Sequence, residues 1–280
     1  MVNSNKKEEK LYTIEIKDIE KFLLPGSIIL SSIILGLFLL IGFNSVSSSI
    51  SSQPKSSGNS PVAENNGDNI QQNLTVNDKI TLVANNIGVD ANQVLSCVES
   101  DSQVKEIINK NANEASNAQI FGTPGFVVGK INNGTLEGVK IPGAYPFDTF
   151  KQAIDAYLSG NDNKINEFIT KFASDSKSNT EDIKAKISIA NAQFKGSDGN
   201  KVGVAEFFDL QCGFCKRHFQ QTYPQIVQEY LDSNKIAYYK INYPILGDES
   251  QKLALGAECV LKISNNKDKY FDYIKEVYSI

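Results

Sequence analysis

The chain has 280 residues and a net charge of -4, with 28 lysines and arginines against 32 acidic residues. That length has room for one or two domains. The lack of a basic surplus argues against nucleic acid as the main partner, because nothing is left over to neutralise phosphates. The one arginine is Arg217 and the one histidine is His218, so chemistry built on a histidine base has a single candidate.

Residues 1–21 carry Lys6, Lys7, Lys10, Lys17 and Lys21 and read as a cytoplasmic tail. Residues 22–43 (FLLPGSIILSSIILGLFLLIGF) are uncharged and mostly apolar. As a helix they rise roughly 33 Å, enough to cross a hydrocarbon core of about 30 Å. Lysines crowd the N-terminal side, and only Lys55 lies between the segment and Lys79. The positive-inside rule then expects a single-pass transmembrane helix with the N-terminus in the cytoplasm and the rest outside, periplasmic or at the cell surface. A cleaved secretory signal is the alternative, and it sends the cysteines to the same oxidising side. Residues 44–68 are rich in Ser, Asn, Gly and Pro and read as a flexible linker.

Residues 76–87 set Val76, Ile80, Val83, Ala84 and Ile87 at helical spacing, and Gly88 is a natural stop. Residues 90–99 predict a second helix with Asp90 as N-cap, and 104–118 a third. Residues 126–128 are strand-like, Asn132-Asn133-Gly134 is a turn, and 136–139 make a second short strand. Residues 146–158 predict a helix with Pro146 in its first turn. Residues 161–194 are polar and helix-compatible, with Ile165, Phe168, Ile169 and Phe172 as apolar positions; 161–198 is expected to be a helical connector. A turn at Gly196-Ser197-Asp198-Gly199 leads to a strand at 202–208, a helix at 216–231, a strand at 236–243 and helices at 249–263 and 268–278.

Cys212-Gly213-Phe214-Cys215 stands between that strand and that helix. Two thiols at this spacing on a first helical turn can close a small disulfide ring and open it again. The helix N-terminus carries partial positive charge and unpaired N–H groups, which favour a thiolate. The thiolate is the form that attacks a disulfide. Cys212 is the expected nucleophile and Cys215 the resolving thiol. The competing reading is half of a structural zinc site, completed from Cys97, Cys259 or His218. His218 reads as a surface helix residue.

Two blocks resemble the DsbA-like thiol-disulfide oxidoreductases, a branch of the thioredoxin fold. Residues 199–280 contain VAEFFDLQCGFCKRHF, NYPILGDES and ALGAEC. Residues 76–158 contain VLSC, FGTPGFVVG and KIPGAYPFDTFKQAI. The resemblance implies an α/β, thioredoxin-like fold with a helical insert. The blocks stand in the order opposite to the family's. Joining residue 280 to residue 69 would restore one helical region. A circular permutation is therefore expected, with 69–160 as the C-terminal half of the domain and 199–280 as the N-terminal half. Truncated tandem domains, an incomplete gene and two chains exchanging halves are the alternatives.

The resemblance also implies site roles. Thr123-Pro124 is the loop that faces the disulfide, with a cis proline that exposes the Thr123 backbone to a substrate strand. Glu206 is a buried carboxylate that moves a proton to or from Cys215, its pKa raised by burial. Strand alternation by itself leaves open whether Glu206 faces core or solvent. Cys97 and Cys259, one from each block, are expected to form a second, structural disulfide; two separate buried thiols are the alternative. No cofactor and no metal is implied. The expected function is a membrane-anchored, extracytoplasmic oxidoreductase that introduces disulfides into secreted proteins and is regenerated by a membrane redox partner. A reductase or isomerase, or a non-catalytic binding module, are the competing functions.

Overall fold

The computed structural model describes residues 74–197 and 199–280. The apolar segment 22–43 and the linker 44–68 lie outside those residues. Among the described residues, no helix is long and apolar enough to cross a membrane.

The frame is a six-stranded sheet. Its strands are β1 (Gly125–Asn132), β2 (Thr135–Pro142), β3 (Lys184–Ser188), β4 (Gln193–Gly196), β5 (Val202–Phe208) and β6 (Ala237–Asn242), in spatial order β3-β2-β1-β5-β6-β4. β1 and β2 form a hairpin across Asn133 and Gly134. Both have positive φ, which an Asn-Gly turn accepts. β5 and β6 are parallel; every other pair is antiparallel. β5 is buried along its whole length, as a run hydrophobic on both faces demands. β1 pairs with it so that Gly125 lies opposite Phe207. The start of β1 therefore meets the end of β5, and the residues preceding one face those following the other.

One sheet face buries Phe126, Val128, Val204 and Tyr238 under α4 (Phe147–Leu158) and α5 (Asp162–Asp175). The other buries Val127, Leu136, Ala205 and Phe207 under the end of α3 (Ser102–Asn117). α6 (Gly213–Gln221) and α7 (Tyr223–Ile226), the latter running into a π-helical turn over Val227–Leu231, cross from β5 to β6. A separate helical cluster packs α1 (Val76–Asn86), α2 (Ala91–Ser100), α8 (Asp248–Ser264) and α9 (Lys267–Val277) around Val83, Val94, Leu253, Tyr270 and Tyr273. Its helices come from both ends of the described chain. Local signals start most of them: Thr75 and Asp78 form a capping box on α1, and Asp90 caps α2.

The connector departs from the sequence expectation. Only 162–175 is helical; Lys184–Ser188 and Gln193–Gly196 are strands that take the two edges of the sheet. Ile183, Ile187 and Ile189 are buried while Lys184, Lys186 and Ser188 are not fully so, the period-two pattern of a one-sided strand. The helix after Cys215 is also shorter than 216–231 and is broken at Thr222, just before Pro224.

Candidate active site

Cys212 is the N-cap of α6. Its backbone is extended, and its sulfur accepts the N–H of Cys215 at 3.4 Å. The Cys212 amide in turn donates to the Asp209 carbonyl at 3.1 Å. Cys212 is 7% exposed and Cys215 0%, so only the first sulfur can be reached from outside. Both are free thiols. The hydrogen bond from the Cys215 thiol lowers the Cys212 pKa to about 6; burial opposes it, and Thr123 with the Cys215 and Phe214 amides adds to it. Burial pushes the Cys215 thiol far up, and Cys212 and Glu206 push it the same way. One sulfur is thereby a thiolate at neutral pH and the other a thiol.

The Thr123–Pro124 peptide bond is cis. In its protonated form the Cys212 thiol donates to the Thr123 carbonyl at 3.2 Å, across 89 residues of sequence. The β1–β5 pairing accounts for this meeting. Phe121 is 76% exposed, and Phe214, Ile245 and Leu246 are exposed as well. The amides of Ile245 and Leu246 are held at 2.8 and 3.0 Å by Asp209, the first residue of the turn that carries Cys212. An apolar groove of about 470 Å³ runs beside the cis proline, lined by Phe121, Pro124, Ile141, Pro142 and Ile183.

Glu206 is fully buried on β5. Lys240 on β6, in register with it, donates to its Oε2 at 2.6 Å, and the Tyr238 hydroxyl donates to the same oxygen at 2.6 Å. Burial raises the Glu206 pKa, but the Lys240 ammonium and these hydrogen bonds outweigh it, so the net shift is downward. The upward shift expected from burial alone is thus corrected by a partner that the sequence did not name. Lys240 was legible as an oddity, a lysine inside the strand Ala237-Tyr-Tyr-Lys-Ile-Asn242. It is surrounded by the rings of Phe208, Phe219, Tyr223 and Tyr238, between 4.8 and 5.8 Å from their centroids.

His218 is not a surface residue. It is 1% exposed, wedged against Phe126 and Phe150, and burial lowers its pKa to about 4. Cys97 on α2 and Cys259 on α8 are joined by a disulfide with Cα atoms 5.9 Å apart. With those two bonded to each other, the zinc alternative has lost two of its three suggested ligands.

Residues 68–155 match the family described as DSBA-like thioredoxin domain, and residues 188–280 match the one described as thioredoxin. The "Probable disulfide bond formation protein D" of Bacillus cereus is 33% identical over 86 residues, 31% of this chain and 39% of the relative. Its namesake in Bacillus anthracis is 31% identical over 86 residues, with the same shares. The aligned part thus spans about two-fifths of the length of these relatives. One stretch of the chain is thus similar to DSBA-like thioredoxin domains and a second, separate stretch to thioredoxin.

Proposed function

We propose that the chain is a protein thiol-disulfide oxidoreductase that works through Cys212 and Cys215 on secreted proteins. The single observation that carries this reading is a reachable, low-pKa sulfur on a helix N-terminus, facing the Thr123 carbonyl beside a cis proline. In the oxidised enzyme a substrate thiolate attacks Cys212, and Cys215 leaves as a thiolate that takes up a proton. The substrate's second thiolate then attacks the mixed disulfide and releases Cys212 as a thiolate. Glu206 passes the proton to and from Cys215. The Thr123 carbonyl and the neighbouring apolar groove receive an extended peptide, and exposed Phe121, Phe214, Ile245 and Leu246 favour a protein substrate over a small thiol.

Oxidation is the favoured direction, because a stabilised Cys212 thiolate stabilises the reduced enzyme. A membrane redox partner would return it to the disulfide. Anchoring through residues 22–43, with the domain outside the cell or in the periplasm, is supported by the uncharged run and the lysine bias. The direct pairing of β1 and β5, drawn from blocks in the order opposite to the family's, supports a circular permutation completed within one chain.

Thiol exchange with a model dithiol peptide tests the reading. Wild type turns over and Cys212→Ala does not; equal rates would remove the proposal. A glutathione titration separates direction: a potential near about -120 mV fits an oxidase and one near about -270 mV a reductase.

A further inference from the structure

Cys215 must gain a proton each time the disulfide is reduced and lose it each time the disulfide is remade. Its sulfur has no exposed surface, and neither has Glu206. Glu206 therefore needs its own connection to solvent. Its Oε2 is taken by Lys240 and Tyr238, while Oε1 has no hydrogen-bond partner. The Tyr238 hydroxyl spends its one hydrogen on Glu206. The ring of His218, whose Nε2 lies 3.0 Å from that same hydroxyl oxygen, must then be the donor there. A neutral imidazole that donates from Nε2 accepts at Nδ1. Nδ1 is buried and has no partner. His218 also lines a surface groove of about 470 Å³, together with Tyr145, Arg217, Gln221 and Gln225.

We propose that His218 and Tyr238 form a proton relay joining Glu206, and through it Cys215, to the groove beside α6. This rests on the reading of Cys212 and Cys215 as the redox pair. Inward, a water admitted from that groove to the otherwise shielded Nδ1 protonates it, the Nε2 proton moves to the Tyr238 oxygen, the hydroxyl proton moves to Glu206 Oε2, and Glu206 delivers one proton to the Cys215 thiolate. No electrons move along the path. The step leaves His218 in its other tautomer. Reoxidation runs the same path outward: Cys215 gives its proton to Glu206 as its sulfur attacks the mixed disulfide on Cys212, and His218 returns to its first tautomer. The relay is thus restored once per redox cycle. The hydrogen bonds of these two side chains run to each other and to Glu206, so both act through Glu206.

The test isolates the step that needs the proton. Enzyme carrying glutathione on Cys212 is formed in a single turnover, and release of glutathione by Cys215 is followed in H2O and D2O. In wild type the release slows in D2O. His218→Phe keeps an aromatic ring between Phe126 and Phe150 and leaves the Tyr238–Glu206 bond in place. It should keep the wild-type reduction potential and Cys212 alkylation rate while release slows roughly tenfold, less than the roughly 100-fold of a directly acting acid–base group, because Glu206 remains. Tyr238→Phe should slow release by a similar factor. The double variant should be no slower than the slower single one, since both cut one path. Release within twofold of wild type in either folded variant, multiplied effects in the double variant, or wild-type release insensitive to D2O would each overturn the relay. If both variants fail to fold, the wild-type isotope measurement alone decides. Absence of exchange by the wild type would instead remove the underlying redox reading.

Discussion

Cys212 shows how one side chain takes its chemistry from its neighbours. Its thiol lies at about 6 instead of 9.0, first because the Cys215 thiol donates to it. Alkylation by iodoacetamide should therefore be half-maximal near pH 6, with Cys215 unreactive, and a midpoint above 8 would contradict the geometry. The same shift sets a pH dependence of stability. The native pKa lies below the unfolded one, so between pH 6 and 9 Cys212 binds fewer protons in the native reduced protein than in the unfolded chain. The contribution of Cys212 to the stability of the reduced form should rise with pH across that window, by up to about 4 kcal/mol, and that gain is lost as pH falls through 6. The shift of Cys215 acts above this window. Glu258, which burial lifts to about 7, contributes to reduced and oxidised forms alike. Denaturant unfolding of both forms from pH 5 to 9 isolates Cys212 in their difference, and a flat difference would refute the assignment.

Between elements, Asp209 ties the end of β5 to the loop before α8. Its Oδ1 accepts the Gln211 amide at 2.8 Å and the Ser250 hydroxyl at 2.7 Å, and its Oδ2 accepts the amides of Ile245 and Leu246. One buried carboxylate thus holds the turn carrying Cys212 and the loop presenting two exposed apolar side chains. Asp209→Asn keeps the shape but turns one acceptor oxygen into a donor amide facing donors. We expect a loss of about 2 kcal/mol in stability. Exchange with a peptide should fall more than exchange with glutathione, which does not need Ile245 and Leu246; equal losses for both would assign Asp209 a purely structural part. Element boundaries were legible wherever a local signal set them, as with Asp90 before α2 or Asn133-Gly134 between β1 and β2. The edge strands β3 and β4 were not. They are short and polar, and their pairing with β2 and β6 is what makes them strands.

Across the molecule, the Cys97–Cys259 disulfide joins α2 to α8 over a sequence separation of 162. The helices it links belong to opposite ends of the described chain yet share one core with Phe208, Cys212 and Cys215. Closing so long a loop restrains the unfolded chain, so the Cys97→Ala/Cys259→Ala variant should lose about 4 kcal/mol. Its unfolding midpoint measures that loss, and an unchanged midpoint would show that the helices hold together without the bond. Thiol exchange at 25 °C should persist in the fraction that stays folded.

Short-range chemistry could be read from residues alone: a thiol pair opening a helix, the caps, the hairpin turn and the apolar run at 22–43. Each depends on neighbours a few positions away, so composition and spacing carry it. Other features exist only once distant segments meet. Thr123 faces Cys212 because β1 runs antiparallel to β5. Glu206 stays ionised because β6 sets Lys240 beside it, and His218 is buried because Phe126 and Phe150 enclose it. Strand register and burial are products of packing, and no local pattern encodes which lysine will stand next to which carboxylate.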